Sequence, residues 1–130
     1  MEKRMRLIIL GAGGHGQVVA DIARQTGRYE QIYFLDDHAE KNDVIGNCAD
    51  YLRFKNADTE MYPAFGNNEV RVEWENRLLK EGILLAKIIH PLAYVSPLAE
   101  IADGCVVMPY AIVNTGTRVK KACIINIGAM

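Results

Sequence analysis

From Ile89 onward an aliphatic side chain returns at every sixth position: Ile89, Val95, Ile101, Val107, Val113, Val119 and Ile125. Four positions after each stands a second series of small side chains: Ala93, Ala99, Cys105, Ala111, Thr117, Cys123 and Ala129. A period of six fits neither a helical repeat nor strand alternation. It predicts a hexapeptide parallel β-helix, each hexad forming one flat side of a triangular coil. Cys105 and Cys123 are three hexads apart, so they should stack one coil above the other as small core residues. Seven hexads give just over two coils. Repeat folds generally need about three units and a cap, so the last coil is expected to present an apolar cross-section and open strand edges.

Before Ile89 the pattern is that of alternating strands and helices. Residues 5–10 (Met-Arg-Leu-Ile-Ile-Leu) read as a buried strand ending at Gly11. A helix over Gln17–Gln25 follows, with Val18, Val19, Ile22 and Ala23 on one face and Gly27 placed to stop it. Ile32–Leu35 reads as a second strand closed by Asp36-Asp37, completing a βαβ unit that argues for a parallel sheet. Residues 38–60 hold a turn around Gly46 and a short helix over Ala49–Phe54. Met61–Phe65 reads as a third strand, restricted by Pro63 to an edge or a strand start. Asn67 or Asn68 can cap the next helix, in which Val70, Trp74 and Leu78 recur every four residues and Gly82 follows the last turn. Leu84–Ile88 reads as a fourth strand, and His90-Pro91 marks the change of period. His90 fits a junction residue better than a ligand. The chain is thus expected to be α/β, with a small Rossmann-like parallel-sheet domain over 1–88 and the first coils of a β-helix over 89–130.

Composition adds mostly exclusions. A net charge of −1 on 130 residues offers no general attraction to nucleic acid or to an anionic membrane. The start is basic, but only Leu7–Leu10 follow as an apolar run, which suits neither a signal peptide nor a membrane span. Three cysteines without metal-ligand spacing point to no metal site and to a cytoplasmic protein.

The chemistry concentrates at glycines. Gly11-Ala12-Gly13-Gly14-His15-Gly16 fits G-x-G-x-x-G between a strand and a helix. Such glycines let the backbone approach a pyrophosphate, and the helix N-terminal amides hold its charge. Asp36, twenty residues beyond Gly16, stands where an acidic residue can hold a ribose hydroxyl. His15 either contacts the ligand or caps the turn. Asp37 is either a ligand contact or a solvated turn residue. Gly66 and Asn67 end the third strand on the same carboxyl edge, as nucleotide contacts or as a helix cap. His38 and Lys41 fit a solvated loop. Asn114 and Asn126 each follow a ladder aliphatic and so belong on a flat outer wall.

Gly-Ala-Gly-Gly-His-Gly-Gln-Val-Val-Ala-Asp, Phe-Leu-Asp-Asp, Phe-Gly-Asn-Asn and Ile-Ile-His-Pro-Leu-Ala-Tyr-Val-Ser-Pro together resemble the sugar O- and N-acetyltransferases. These include sialic acid O-acetyltransferases and enzymes that acetylate UDP-4-amino-sugars for bacterial glycans. The resemblance, from about Met5 to Met130, implies a sugar-nucleotide-binding N-terminal domain. It also implies a left-handed β-helix that forms a homo-oligomer, a trimer, with acetyl-CoA between subunits. In such enzymes a histidine base deprotonates the sugar amine or hydroxyl that attacks the thioester. Carried over, Gly11, Gly13, Gly14, His15, Asp36 and Asp37 match the sugar-nucleotide end, and Asn126 the asparagine lining the acceptor site. The catalytic histidine is expected about one hexad after that asparagine, beyond Met130, and none of His15, His38 or His90 stands there. This chain alone is therefore expected to be inactive, with His15 and Asn126 as its candidate catalytic contributors. Two other readings are a UDP-sugar-binding module without catalysis and an NAD-dependent oxidoreductase. The second suffers from having only about four strands before the hexads.

Overall fold

The computed structural model describes residues 4–38 and 43–130. Lys41 and residues 1–3 of the basic start lie outside the described residues. Five parallel strands form one sheet: β1 (Met5–Leu10), β2 (Tyr29–Leu35), β3 (Val44–Gly46), β4 (Thr59–Pro63) and β5 (Leu84–Leu85), in the order β3-β2-β1-β4-β5. Helix α1 (Gly14–Thr26) connects β1 to β2 and stops at Gly27, whose φ of 73° makes the left-handed exit. A 3₁₀ helix (Cys48–Phe54) follows β3, and α2 (Asn68–Lys80) follows β4. Alternate residues of β1 feed two cores. Leu7 and Ile9 pack with Val19, Ile22 and Tyr62 on the α1 side, whereas Ile8 and Leu10 pack with Tyr51, Met61 and Leu78 on the other.

Several expectations need correction. The turn around Gly46 is a three-residue strand, β3, whose Gly46 O accepts from Asp36 N at 3.0 Å. Three residues are too few for a period to show. Pro63 ends an interior strand instead of marking an edge or a start. Met61 O accepts from Ala86 N on the β5 side, and Ala64 N donates to Leu10 O on the β1 side. Residue 63 has the parity of 61, so its missing N–H faces β5 beyond the last pair, Met61–Leu85. No ladder bond is lost there. The fourth strand ends at Leu85, and Ile88 already belongs to the coils. Val18 and Val70 are exposed. The buried face of α1 is Gly16, Val19, Ala20, Ile22 and Ala23, and that of α2 is Arg71, Glu75 and Leu78.

Strands of two residues follow: β6 (Ile88–Ile89), β7 (Tyr94–Val95), β8 (Glu100–Ile101), β9 (Val106–Val107), β10 (Ile112–Val113), β11 (Arg118–Val119) and β12 (Ile124–Ile125). They stack in parallel as three walls, β6-β9-β12, β7-β10 and β8-β11, so each residue pairs with the one eighteen positions on. The ladder from Ile89 to Ile125 points inward, with Ala93, Ala99, Cys105, Ala111 and Cys123 filling the corners. Thr117, expected among them, is exposed. Left-handed backbone recurs at six-residue intervals, at Gly104, Tyr110, Gly116, Ala122 and Gly128. Tyr110 (φ 63°) and Ala122 (φ 65°) carry that conformation without glycine's freedom.

The position before each ladder residue points outward and gives the walls different characters. Ile88, Val106 and Ile124 make one wall apolar, and it docks on Leu7, Ile9, Val19 and Tyr62 of the sheet core. Tyr94 and Ile112 lie on the second, and Glu100 meets Arg118 at 3.4 Å on the third. His90 secures the junction. Its Nδ1 accepts from Leu92 N at 2.9 Å, leaving Nε2 to donate to Gln25 Oε1 of α1 at 3.0 Å.

Candidate functional site

The strand order reverses between β1 and β4, so their carboxyl ends open a crevice at the topological switch point. The loop after β1 forms one lip. Gly11 turns with φ 100°, and its N–H donates to Leu35 O at 2.8 Å. A Cβ on Gly16 would overlap Gly11 O, so only glycine lets α1 start this close to the strand. At Gly13 and Gly14 an added Cβ would meet no atom within 4 Å. Both therefore face open space. Gly13 caps α1 without a side-chain hydrogen bond, and no acidic residue occupies the first turn. The helix thus presents its amides and the positive end of its dipole to the crevice, a suitable setting for an anion.

Asp36 braces this lip, and Asp37 braces the segment beside it. Asp36 Oδ2 accepts from Ala12 N at 2.7 Å and Oδ1 from His38 N at 2.8 Å. Asp37 Oδ1 accepts from Cys48 N at 2.9 Å, tying the end of β2 to the 3₁₀ helix. Sequence spacing located both at the strand end. What it missed is that the Asp36 carboxylate holds the glycine-loop backbone and the Asp37 carboxylate the start of the 3₁₀ helix.

The segment after β4 forms the other lip. Gly66 has open space around its Cα, and Asn67 caps α2, its Oδ1 accepting from Val70 N at 3.0 Å. The helix-cap reading of Asn67 is thus the one its side chain shows. His15 spans the crevice floor, its Nε2 3.1 Å from Tyr62 Oη and the rings meeting edge-on at 5.9 Å. Burial, reinforced by the positive charge of Arg71, holds the His15 imidazole below its ordinary pKa, favouring the neutral ring.

Asn126 lies apart from this loop. It is exposed, as is Asn114, and it lines a groove of about 570 Å³ between α2 and the last coil. Asn68, Arg71, Lys121 and Ile124 share that groove. The crevice and the groove lie on either side of the α2 N-terminus, with Arg71 between them. Its Nη1 donates to Phe65 O at 3.0 Å, and its Nη2 to Asn68 Oδ1 at 2.7 Å and to Ala122 O at 3.0 Å. Sequence reasoning missed Arg71, Glu75 and Tyr62. The first two look like surface charges on a weakly amphipathic helix, and nothing in their spacing says they are buried. Among the described residues no group of three or more His, Cys, Asp or Glu could hold a metal ion.

Known proteins share this fold. The acetyltransferase domain of PglB from Neisseria gonorrhoeae, solved in complex with acetyl coenzyme A, is 37% identical. It superposes with a TM-score of 0.91 over 97% of this chain and 63% of that one. A variant of perosamine N-acetyltransferase from Caulobacter crescentus, solved with CoA and GDP-perosamine, is 27% identical, with a TM-score of 0.84 over 94% of this chain and 60% of that one. The chain therefore spans less than two thirds of either protein. No helix among the described residues is long and apolar enough to cross a membrane. Residues 6–78, which contain the glycine loop, both aspartates and most of α2, match the model of the PglD N-terminal domain. With more than half of its length inside that match, the chain belongs to the PglD N-terminal domain family.

Proposed function

We propose that this chain forms the sugar-nucleotide-binding part and first coils of a cytoplasmic, acetyl-CoA-dependent acetyltransferase acting on a nucleotide-linked amino sugar. The residues before Ile88 serve as the nucleotide domain, and the coil domain runs on from the Ile88–Ile89 strand to 130. The observation that carries this reading is the uncapped α1 N-terminus behind open glycines, in a fold shared with sugar acetyltransferases. In this reading the diphosphate rests on the amides from Gly13 to Gly16. Asp36 and Asp37 hold the lip in shape beside the nucleoside, and Gly66 and Asn67 bound the opposite side. The sugar then reaches past His15 toward the groove where Asn126 stands.

The reaction is an acyl transfer. The sugar nitrogen attacks the thioester carbonyl, the C–S bond breaks, CoA leaves as thiolate, and the amine gives its extra proton to a base. In this reading Asn126, which lines the groove, orients the acceptor. His15, its imidazole held below the ordinary pKa by burial and Arg71, is engaged with Tyr62, which suits orienting the ligand better than accepting the proton. The exposed apolar side chains Leu92, Tyr94, Leu98 and Tyr110 supply a coil surface for a homo-oligomer, a trimer in our reading.

A second reading is a binding module, favoured by the amide and cationic side chains of Asn68, Arg71, Lys121 and Asn126 that line the groove and suit holding a ligand. Calorimetry with a UDP-4-amino-sugar, paired with thiol release from acetyl-CoA, separates the two. Binding with turnover supports the transferase, binding without turnover supports the module, and absence of nucleotide-sugar binding refutes both. Tight NADH binding would instead revive the oxidoreductase.

A further inference from the structure

Helix α2 buries a charged pair for which the nucleotide crevice has no evident use. Glu75 has no exposed surface and Arg71 is 4% exposed. Through Phe65 O and Ala122 O, Arg71 joins the carboxyl edge of the sheet to the coil corner that leads into Asn126. One helical turn along, both Glu75 oxygens and Arg71 Nε are buried without a hydrogen-bond partner. Glu75 Oε1 fills the space that a side chain at Gly104 would need, so the carboxyl is wedged against the coil backbone.

An unpartnered carboxylate in such an interface is strongly disfavoured, and a neutral carboxyl far less so. The groups around it divide. Arg71 and Lys121 favour ionisation, and the Ala122 N–H points the same way without closing a hydrogen bond. Lys121 Nζ already donates to Asn76 Oδ1 at 2.7 Å. Tyr62 of β4 and Cys105 of the coil also face the carboxyl, and burial keeps both protonated. Burial outweighs the two cations and pushes the Glu75 carboxyl up to about 7. Once ionised, Glu75 draws the guanidinium toward itself through its unpartnered Nε, pulling Nη1 and Nη2 from Phe65 O and Ala122 O.

We propose that Glu75 is a proton-controlled positioning residue: its neutral carboxyl lets Arg71 clamp α2 and the sheet edge to the coil, and its ionisation loosens that clamp. The inference stands on the interface and needs no acetyl transfer. It bears on the proposed chemistry only because a sugar nucleotide reaching from the Gly11 loop to Asn126 would span the same interface.

The test is hydrogen exchange of the Ala122–Asn126 amides in the 130-residue chain across this pH range, corrected for intrinsic exchange, with a carbon-detected titration of the Glu75 carboxyl. A folded-state pKa above the ordinary 4.5 means that the clamp is tightest in acid and weakens as pH rises to about 7. The opening constant should therefore increase by up to about 300-fold over that window and level off above it. Glu75→Gln should remove the rise and keep the amides protected. The proposal is overturned if Glu75 titrates in the ordinary carboxylate range, or if Glu75→Gln keeps the wild-type pH dependence. Should that variant fail to fold, the titration of the wild-type carboxyl decides alone.

Discussion

Val106→Ala tests whether the sheet and the coils share one cooperative core. Val106 has no exposed surface and pairs with both Ile88 and Ile124, at the centre of the wall that docks on the sheet. Its side chain belongs to the cluster of Leu7, Ile9, Val19 and Tyr62. The substitution removes two methyl groups' worth of burial, about 1.6 kcal/mol at ~0.8 kcal/mol per group. A residual cavity brings the expected loss to about 2–3 kcal/mol. With a urea slope of about 2 kcal/mol/M, the unfolding midpoint should fall by about 1 M. Two probes report on different regions. Trp74, the only tryptophan, packs against Tyr51 and Phe65 on the far side of the sheet, with ring centroids at 5.4 and 6.0 Å. Far-UV circular dichroism reports on the whole backbone. Because one cluster joins wall and sheet, both midpoints should shift together. An unmoved Trp74 transition, or a loss below about 0.5 kcal/mol, would refute a shared core. Arg118→Ala, on the exposed charged wall, is the control and should change stability by less than about 0.5 kcal/mol.

Gly16→Ala should destabilise the fold by at least about 1–3 kcal/mol, because its Cβ overlaps Gly11 O. Any nucleotide-sugar affinity should fall with it, as measured by calorimetry under conditions where the variant remains folded. For His15, proton NMR should give a midpoint below the ordinary 6.5, and Arg71→Gln should raise it by removing the opposing charge. The sign for stability follows. A histidine whose folded pKa is lowered favours folding above its unfolded value, and that contribution is lost as pH falls through the folded one. His90→Ala removes the partners of Leu92 N and Gln25 Oε1 and should cost about 1–3 kcal/mol in urea unfolding. Its effect on exchange should be largest where α1 meets the start of the coils.

How far the sequence could be read depended on where each residue's information lies. The ladder was legible because every inward aliphatic faces the same surroundings, eighteen residues from its stacking partner, so the environment repeats and the sequence repeats with it. The glycine loop was legible because close approach to a strand leaves glycine as the one residue that fits at position 16. Strand β3 was not, since three residues carry no period. Val70 misled for a related reason. It shares a four-residue spacing with Trp74 and Leu78, yet the neighbour of α2 at that level is the coil, which takes Arg71 and Glu75 instead. Which face of α2 is buried was decided by a partner more than fifty residues away, at Ala122. No local pattern contains that.

The docking wall was written in the chain, though one position away from the ladder that draws the eye. Residues preceding the inward aliphatics run Ile88, Tyr94, Glu100, Val106, Ile112, Arg118 and Ile124. Read every eighteenth residue, they give Ile88, Val106 and Ile124 on one wall and Glu100 with Arg118 on another. A wall made wholly of branched aliphatics cannot be left in water as cheaply as one carrying a Glu–Arg pair, so it must meet the sheet. Once it does, the orientation of the coils is fixed. Ile124 both belongs to the docking core and lines the groove, and Asn126 follows two residues later. The position of Asn126 beside α2 is therefore set by the same contact that buries Val106. In this fold the relation between the glycine crevice and the groove is a consequence of core packing, and a change in the docking wall should disturb any ligand that spans the two.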